Sequence, residues 1–121
     1  MTEIGTDLVD VDRFRRVLQR RPGLAGRLFT EDERSYAATA NDPTERLAVR
    51  FAAKEAVMKA LGCGIGAVRM VDIEVVRGDD GNPSLLLHGS AASLAAERGL
   101  VSFKLSMTHT DTVAHAMVVA E

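Results

Sequence analysis

With 121 residues, 46% of them hydrophobic and 26% charged, the sequence has the composition of one folded globular domain, which excludes intrinsic disorder. A formal net charge of −2 argues against a nucleic-acid-binding protein. No apolar run approaches the ~20 residues needed to span a bilayer, and residues 1–16 lack the apolar segment of a signal peptide. We therefore expect a cytoplasmic protein that binds neither membranes nor nucleic acid, and its single cysteine, Cys63, excludes an intrachain disulfide.

The N-terminal part of the chain predicts a strand and then a helix. Residues 3–9 are rich in branched side chains, which favours a strand that ends near Asp7. Asp10 is a suitable N-cap for a helix through Arg20, and Pro22-Gly23 ends that helix. The helical periodicity predicts a buried stripe made of Val11, Phe14, Val17 and Leu18.

A short helix and the longest helix of the chain follow. The segment Thr30–Glu33 has the capping-box pattern of a helix N-terminus. The segment Asp42–Glu45 is a stronger start signal, with a cap, a proline at the first position and a glutamate three residues after the cap. The helix that begins here should run to Leu61 and stop at Gly62.

The C-terminal half predicts a hairpin, one more helix and a final pair of strands. The expected elements are strands over 71–77 and 84–88 with a turn at Asp80-Gly81, a helix over 90–98 that Gly99 ends, and strands over 101–107 and 112–120. The order β-α-α-α-β-β-α-β-β predicts a single α+β domain over residues 1–121. We expect a mainly antiparallel sheet packed against the long central helix.

The central helix carries charged residues among small apolar ones. Glu55 and Lys59 are four residues apart and share a face, and Lys54 lies next to Glu55. Taken alone, the pair predicts a surface ion pair worth ~0.3–0.5 kcal/mol. A carboxylate with two lysines also suits a bound phosphate, because Mg²⁺ is commonly held by carboxylates and substrate phosphates together. Gly62 and Gly64 would let backbone N–H groups approach such a ligand, although a helix C-cap also explains Gly62.

Two other stretches offer groups for the same chemistry. Asp7 follows a glycine late in the first strand and has no obvious structural task, since Asp10 is better placed for capping. It is the candidate second carboxylate, although a turn aspartate is the ordinary interpretation. The segment 106–110 places His109 and Thr110 in a short loop rich in phosphate-binding donors, and a polar hairpin turn is the simpler alternative.

The first helix is strongly basic. Between residues 10 and 27 there are six arginines and two aspartates, on a chain that is slightly acidic overall. Arg13, Arg16 and Arg20 share a face of the helix. A charge run of this kind is usually a solvated face, but it also suits an acidic partner.

Three separate stretches, GTD at 5–7, FAAKEAVMKALG at 51–62 and SMTHT at 106–110, together resemble the holo-[acyl-carrier-protein] synthases. These are the short, single-half members of the 4′-phosphopantetheinyl transferases. The central motif F-A-x-K-E-A-x-x-K-A is the specific one and is met at every fixed position. The resemblance implies transfer of the 4′-phosphopantetheine arm of coenzyme A to a serine of an acyl carrier protein, with release of adenosine 3′,5′-bisphosphate.

The resemblance also implies roles for individual residues. Asp7 and Glu55 would hold Mg²⁺ with the pyrophosphate, and Lys59 would stabilise the charge of the pyrophosphate. Glu55, directly or through a metal-bound water, would serve as general base. The residues expected to bind coenzyme A are Arg50, Lys54, Lys59, Gly62, Gly64, His109 and Thr110, with Lys54 assisting or steadying the loop. The residues expected to bind the carrier protein are Arg13, Arg16, Arg20 and Arg21. The resemblance further implies a homotrimer with active sites between neighbouring subunits, serving fatty acid synthesis or a secondary pathway.

Two other functions are compatible with these residues. A metal-dependent hydrolase of nucleotide pyrophosphates would release product from coenzyme A without a protein acceptor. A non-enzymatic module would bind coenzyme A and show no turnover. A requirement for Mg²⁺, coenzyme A and a carrier protein together would single out the transferase.

Overall fold

The computed structural model of the chain describes residues 1–121 and contains five strands and five α-helices. The strands are β1 (Glu3–Asp10), β2 (Ile73–Arg77), β3 (Pro83–Leu87), β4 (Phe103–His109) and β5 (Val113–Ala120). The helices are α1 (Val11–Arg20), α2 (Leu24–Leu28), α3 (Glu31–Ala37), α4 (Thr44–Leu61) and α5 (Gly89–Glu97). A short 3-10 turn, Met70–Asp72, precedes β2. None of the helices has the length and hydropathy that a membrane-spanning segment needs.

Every strand pairing is antiparallel. Strands β1, β5 and β4 form one sheet with β5 in its centre, and β2 pairs with β3 in a separate hairpin. The register sets Asp7 of β1 and Met107 of β4 on either side of Ala116 in β5. Helix α4 packs mainly against β1 and β5. This confirms the predicted α+β fold, in which a mainly antiparallel sheet packs against a long central helix.

Helix α4 is buried around most of its circumference, because most of its side chains are small and apolar. β1 lies so close to it that a side-chain carbon at Gly5 would overlap the carbonyl of Ala56. The helix ends at Gly62, which adopts a left-handed φ of 69° as predicted for a C-cap. It begins one residue later than predicted, and the Asp42 carboxylate accepts the Thr44 N–H at 2.9 Å.

The two predicted N-terminal caps are confirmed. The Asp10 side chain accepts the Arg13 N–H at 2.9 Å and begins α1. At α3 the capping box is complete, because Thr30 accepts the Glu33 N–H at 3.1 Å while Glu33 accepts the Thr30 N–H at 2.9 Å.

An aromatic cluster holds α1 against α4. The rings of Phe14 and Phe51 stack with centroids 5.1 Å apart, and Phe14 meets Phe29 edge to face at 6.3 Å. The predicted buried stripe of α1 is correct for Val11 and Phe14. The prediction overestimates the burial of Val17 and Leu18. Both are only half-buried, because each lines a groove at the surface.

Several boundaries differ from the prediction. The short helix α2, Leu24–Leu28, was not predicted. Strand β2 begins at Ile73, since the Met70–Asp72 turn occupies its expected first residues. His109 is the last residue of β4 rather than part of the following loop, and β1 continues past Asp7 to Asp10.

Candidate active site

Strand β1 and helix α4 bring three predicted residues together. The Lys59 Nζ donates to the Thr6 carbonyl at 2.8 Å and to Asp7 Oδ1 at 3.1 Å. Glu55 lies one turn earlier on α4, and the carboxylate of Asp7 contributes to its pKa shift. Gly5 makes this possible, because only a residue without a side chain lets β1 approach α4 so closely.

The Glu55 carboxylate has no ion-pair partner in the protein, whereas Asp7 is paired with Lys59. Burial raises the pKa of Glu55, the charge of Asp7 raises it further, and Lys59 acts in the opposite direction. Glu55 is therefore a half-buried acid that the protein leaves uncompensated. Such a group suits an external cation or a proton.

The donor set fits magnesium. No group of three or more His, Cys, Asp or Glu side chains is spaced to hold a metal on its own. Asp7 and Glu55 supply two carboxylates, and the lysine beside them adds positive charge. Mg²⁺ is typically bound by one or two carboxylates, with phosphate oxygens and water completing the shell. The chemistry of these donors therefore suits a metal ion bound together with a phosphate.

Asp7 and Glu55 lie at a largely apolar groove of about 720 Å³. Arg13 contributes the cationic side chain of its lining. The apolar part is formed by Leu8, Val9, Phe14, Val17, Leu24, Leu28, Phe51 and Val113. A partner with both charged and apolar groups would suit this surface.

The arginines of α1 divide into two kinds. Arg15 is neutralised, since it pairs with Asp12 at 2.5 Å and with Asp42 at 2.8 Å. The four predicted carrier-binding residues are exposed and have no ion pair within the protein; they are Arg13, Arg16, Arg20 and Arg21. All four predicted residues are therefore unpaired positive charges, a property that Arg27 of α2 shares.

Arg50 and His109 line a different cavity, of about 360 Å³. The guanidinium carbons of Arg46, Arg50 and Arg77 lie 4.5, 4.7 and 4.8 Å from the centre of the Tyr36 ring. Burial lowers the pKa of Arg50. No carboxylate forms an ion pair with these arginines, so the cavity is suited to an anion.

Sequence reasoning missed three residues of this second cavity: Tyr36, Arg46 and Arg77. Arg46 had a signal, because it precedes Arg50 by four residues and so shares its helix face. No sequence pattern pointed to Arg77, because its partner Tyr36 is 41 residues away in the sequence.

The two cavities share no lining residue. Asp7 lies on β1 and His109 on β4, with β5 between these strands. Two strand spacings separate such positions by about 10 Å. Within one chain, Asp7, Glu55 and Lys59 therefore form one cluster, and Arg50 and His109 belong to another.

The expectation that Lys54 binds coenzyme A needs correction. Its side chain has no exposed surface. The ammonium donates to Glu33 Oε1 at 2.8 Å, to the Met70 carbonyl at 3.0 Å and to the Ile73 carbonyl. Burial lowers the pKa of Lys54, and Glu33 opposes this effect. All three protons of the ammonium are used inside the protein, so Lys54 cannot contact a ligand in this structure.

Gly62 does not offer its N–H to a ligand either, since that N–H donates to the Lys59 carbonyl at 3.0 Å as part of the helix C-cap. Gly64 is exposed, and no atom lies near the position of an added side chain. Thr110 shapes the β4–β5 turn, because its hydroxyl accepts the N–H groups of Thr112 and Val113 at 3.2 and 3.1 Å.

Comparison with known proteins gives a consistent result along the chain. A family model described as the 4′-phosphopantetheinyl transferase superfamily matches residues 3–118. A holo-[acyl-carrier-protein] synthase of Frankia casuarinae is 53% identical over 118 residues, covering 98% of this chain and 95% of the relative. The structure of that enzyme from Neisseria meningitidis has a TM-score of 0.88 at 36% identity, covering 98% of this chain and 97% of the other. A Chronobacterium ammoniagenes complex of the synthase with CoA gives 0.90 at 32% identity, covering 99% and 96%.

Proposed function

The chain belongs to the 4′-phosphopantetheinyl transferase superfamily, as its three motifs predicted, and we propose that it transfers the 4′-phosphopantetheine arm of coenzyme A to a serine of an acyl carrier protein. The names of its relatives and the bound CoA of a structural neighbour support this activity. The observation that carries the proposal is the meeting of three charged residues: Asp7 and Glu55 line one groove, and Lys59 pairs with Asp7. The proposal includes a cytoplasmic location and a role in fatty acid biosynthesis.

The reaction is a phosphoryl transfer. The serine oxygen forms a bond to the β-phosphorus of coenzyme A, and the bond from that phosphorus to the bridging oxygen breaks. Adenosine 3′,5′-bisphosphate leaves with the electron pair. Little covalent chemistry is required of the protein, so positioning and charge neutralisation supply most of the rate enhancement.

Asp7, Glu55 and Lys59 divide these tasks. Asp7 and Glu55 would hold Mg²⁺, which when bound neutralises charge on the pyrophosphate. Lys59 is more than half exposed, so its ammonium can also reach a phosphate oxygen. Glu55, whose pKa is raised, is suited to accept the serine proton as general base.

The basic cavity around Tyr36 suits the nucleotide end of coenzyme A. It is lined by Arg50 and His109, which the sequence predicted to bind coenzyme A, and Arg46 and Arg77 add further positive charge. A phosphate on the ribose would receive charge-assisted hydrogen bonds from such guanidinium groups. Because this cavity and the Asp7 groove are separate in one chain, we propose that each active site combines the groove of one subunit with the basic cavity of its neighbour.

A homotrimer is the assembly that fits this division. On the sheet face turned away from α4, Ile4, Leu8 and Met117 are 64%, 68% and 44% exposed. Apolar side chains grouped on an open sheet face favour association with further copies of the chain. A closed ring in which one protomer's β1 edge lies beside the next protomer's β4 edge would bring the groove of one subunit to the basic cavity of its neighbour.

The carrier protein would dock on α1. Unpaired Arg13 and Arg16 would meet acidic side chains and speed the encounter of the two proteins. The apolar groove beside Phe14 and Leu24 would receive an apolar side chain of the partner. This surface ends at Asp7 and Glu55, so a docked carrier would bring its serine to the carboxylates.

Product stoichiometry tests the proposal against its alternatives. Coenzyme A, Mg²⁺ and an apo acyl carrier protein are incubated with the enzyme, and adenosine 3′,5′-bisphosphate and modified carrier are quantified together. Transfer predicts one bisphosphate per modified carrier, and loss of both in chelator. Bisphosphate without modified carrier would indicate a hydrolase, and bound coenzyme A without either product would indicate a binding module.

A further inference from the structure

The basic cavity is arranged around Tyr36. This tyrosine is the last residue but one of α3, and it is half-buried. The guanidinium carbons of Arg46 and Arg50, on α4, lie 4.5 and 4.7 Å from the centre of its ring, and that of Arg77, at the end of β2, lies 4.8 Å away. Three positive charges therefore share one aromatic ring, and its π-electrons attract each of them.

Tyr36 also holds two of these arginines by hydrogen bonds. The Arg77 Nη1 donates to the Tyr36 hydroxyl, and the Arg46 Nη1 donates to the Tyr36 carbonyl at 3.0 Å. Arg46 donates in addition to the Thr39 hydroxyl at 2.6 Å, and that hydroxyl itself donates to the Tyr36 carbonyl at 2.7 Å. The ring, the hydroxyl and the carbonyl of one residue thus fix guanidinium groups that come from two other elements.

The rest of the protein offers these arginines no negative charge at close range. None of the three forms an ion pair. Arg50 is only 5% exposed, and its guanidinium donates to the Arg46 carbonyl at 3.2 Å. A guanidinium has five N–H donors, so most of those of Arg50 remain available to a ligand.

The guanidinium groups repel one another. Burial lowers the pKa of Arg50, and the positive charges of Arg46 and Arg77 lower it as well. Tyr36 and Glu33 act in the opposite direction. Because like charges gathered without a carboxylate cost free energy, a bound anion would relieve the repulsion, and the aromatic ring is what keeps the cluster together before the anion arrives.

We infer that Tyr36 is a positioning residue of the basic cavity: it holds three mutually repelling guanidinium groups together, so that the ribose phosphate of coenzyme A meets a site that is already formed. The inference rests on the proposed function, which assigns that phosphate to this cavity. Groups that are fixed before binding lose less conformational freedom when the ligand arrives, so affinity is higher.

Two nucleotides separate this role from a general effect on folding. Adenosine 3′,5′-bisphosphate carries the ribose 3′-phosphate and adenosine 5′-monophosphate lacks it, while the two molecules are otherwise the same. Calorimetry measures both Kd values with the full chain. Tyr36→Leu removes the ring, and Tyr36→Phe removes only the hydroxyl. Arg34→Met is the matched control, since Arg34 is exposed on the same helix and forms no ion pair.

We expect the wild type to bind the bisphosphate more tightly, because guanidinium groups form charge-assisted hydrogen bonds with a phosphate. Tyr36→Leu should raise the Kd of the bisphosphate about 10-fold and that of the monophosphate no more than about 2-fold. Tyr36→Phe should cost about 3-fold or less, as one hydrogen bond is lost, and Arg34→Met should match wild type. In turnover, Tyr36→Leu should raise the KM for coenzyme A with kcat within about 2-fold of wild type, since Tyr36 does not line the groove of Asp7 and Glu55.

A double-mutant cycle tests the hydroxyl by itself. The losses of Arg77→Met and Tyr36→Phe should not add, because the hydroxyl acts through Arg77. Additive losses, equal losses for both nucleotides in Tyr36→Leu, or a wild type that binds both nucleotides equally would overturn the inference. Calorimetry needs no turnover, so a wild type that prefers the bisphosphate but transfers nothing would overturn the proposed activity and leave the role of Tyr36 standing.

Discussion

The Lys59 ammonium lies 3.1 Å from the Asp7 carboxylate and 2.8 Å from the adjacent Thr6 carbonyl, and so joins α4 to β1. The lysine side chain is 55% exposed and the aspartate side chain 17%. An ion pair with its lysine end in solvent adds only modestly to stability. We therefore interpret the pair as part of the proposed phosphate-binding site, with Lys59 as the phosphate-binding charge, rather than as a contact that stabilises the fold.

Replacement of Lys59 by methionine tests this explanation. The variant should lose about 100- to 1,000-fold in kcat, the usual cost of removing one group that stabilises transition-state charge. Its midpoint of urea unfolding should change little, because the lysine end of the pair is in solvent. Lys59→Arg should keep part of the activity, since it retains the charge. A variant that kept wild-type kcat, or that simply unfolded, would contradict the assignment.

Glu55 should cost the folded protein stability at neutral pH. Burial and the Asp7 charge raise its pKa in the folded state, so the folded protein holds this proton more tightly than the unfolded chain does. As pH rises through the range between the two pKa values, ionisation of Glu55 therefore lowers the free energy of unfolding. In metal-free buffer, Glu55→Gln should be more stable than wild type at pH 7.

The stability gain of Glu55→Gln should shrink below roughly pH 4, where the wild-type carboxyl is neutral in both states. Urea titrations at several pH values measure this difference. A variant less stable than wild type at pH 7 would show that the Glu55 carboxylate stabilises the fold, which would contradict its assignment as an uncompensated acid of the active site.

Gly5 predicts a large stability effect. A methyl group there would overlap the Ala56 carbonyl, so Gly5→Ala must push β1 away from α4 and should cost about 3 kcal/mol of unfolding free energy. Gly26→Ala is the matched control, because that glycine lies in α2 with no neighbouring atom near an added carbon. It should stabilise the protein by about 0.5–1 kcal/mol. Similar urea midpoints for the two variants would refute the close contact.

A shared active site predicts complementation between subunits. Glu55→Gln disables the groove and His109→Ala weakens the basic cavity, so each variant alone should transfer poorly. When the two are unfolded and refolded together, a random mixture should restore about a quarter of wild-type activity, since one site in four receives both intact halves. Activity no higher than the average of the separate variants would mean that each subunit works with its own two cavities.

The unpaired arginines predict a salt-dependent encounter with the carrier protein. Arg13→Glu and Arg16→Glu should each raise the KM for the carrier about 10-fold at low ionic strength, because they place like charges against an acidic surface. The effect should weaken as salt screens it. Arg34→Glu makes the same charge change on α3 and should leave this KM near wild type. Equal effects from all three would point to net charge instead of docking on α1.

Local interactions explain what the sequence could predict. The caps at Asp10 and Thr30 and the C-cap at Gly62 depend on groups within four residues, and all three were predicted correctly. Helix α2 had no such signal, since it is five residues long and has no side-chain cap.

Lys54 shows where sequence reasoning ends. Its neighbours in the motif suggested a ligand contact, but its partners Glu33 and Met70 are 21 and 16 residues away in sequence. Only the fold reveals that the lysine faces the core while Glu55, the next residue, faces the groove. The same holds for Arg77, which joins the basic cavity through Tyr36.

The intact mass of an apo acyl carrier protein, incubated with this protein, coenzyme A and Mg²⁺, tests the central claim most directly. The account predicts that the carrier gains one phosphopantetheine on a serine with the wild type, and none with Glu55→Gln, Asp7→Asn or excess chelator. Mass unchanged across several carrier proteins, or a gain that survives Glu55→Gln, would contradict it.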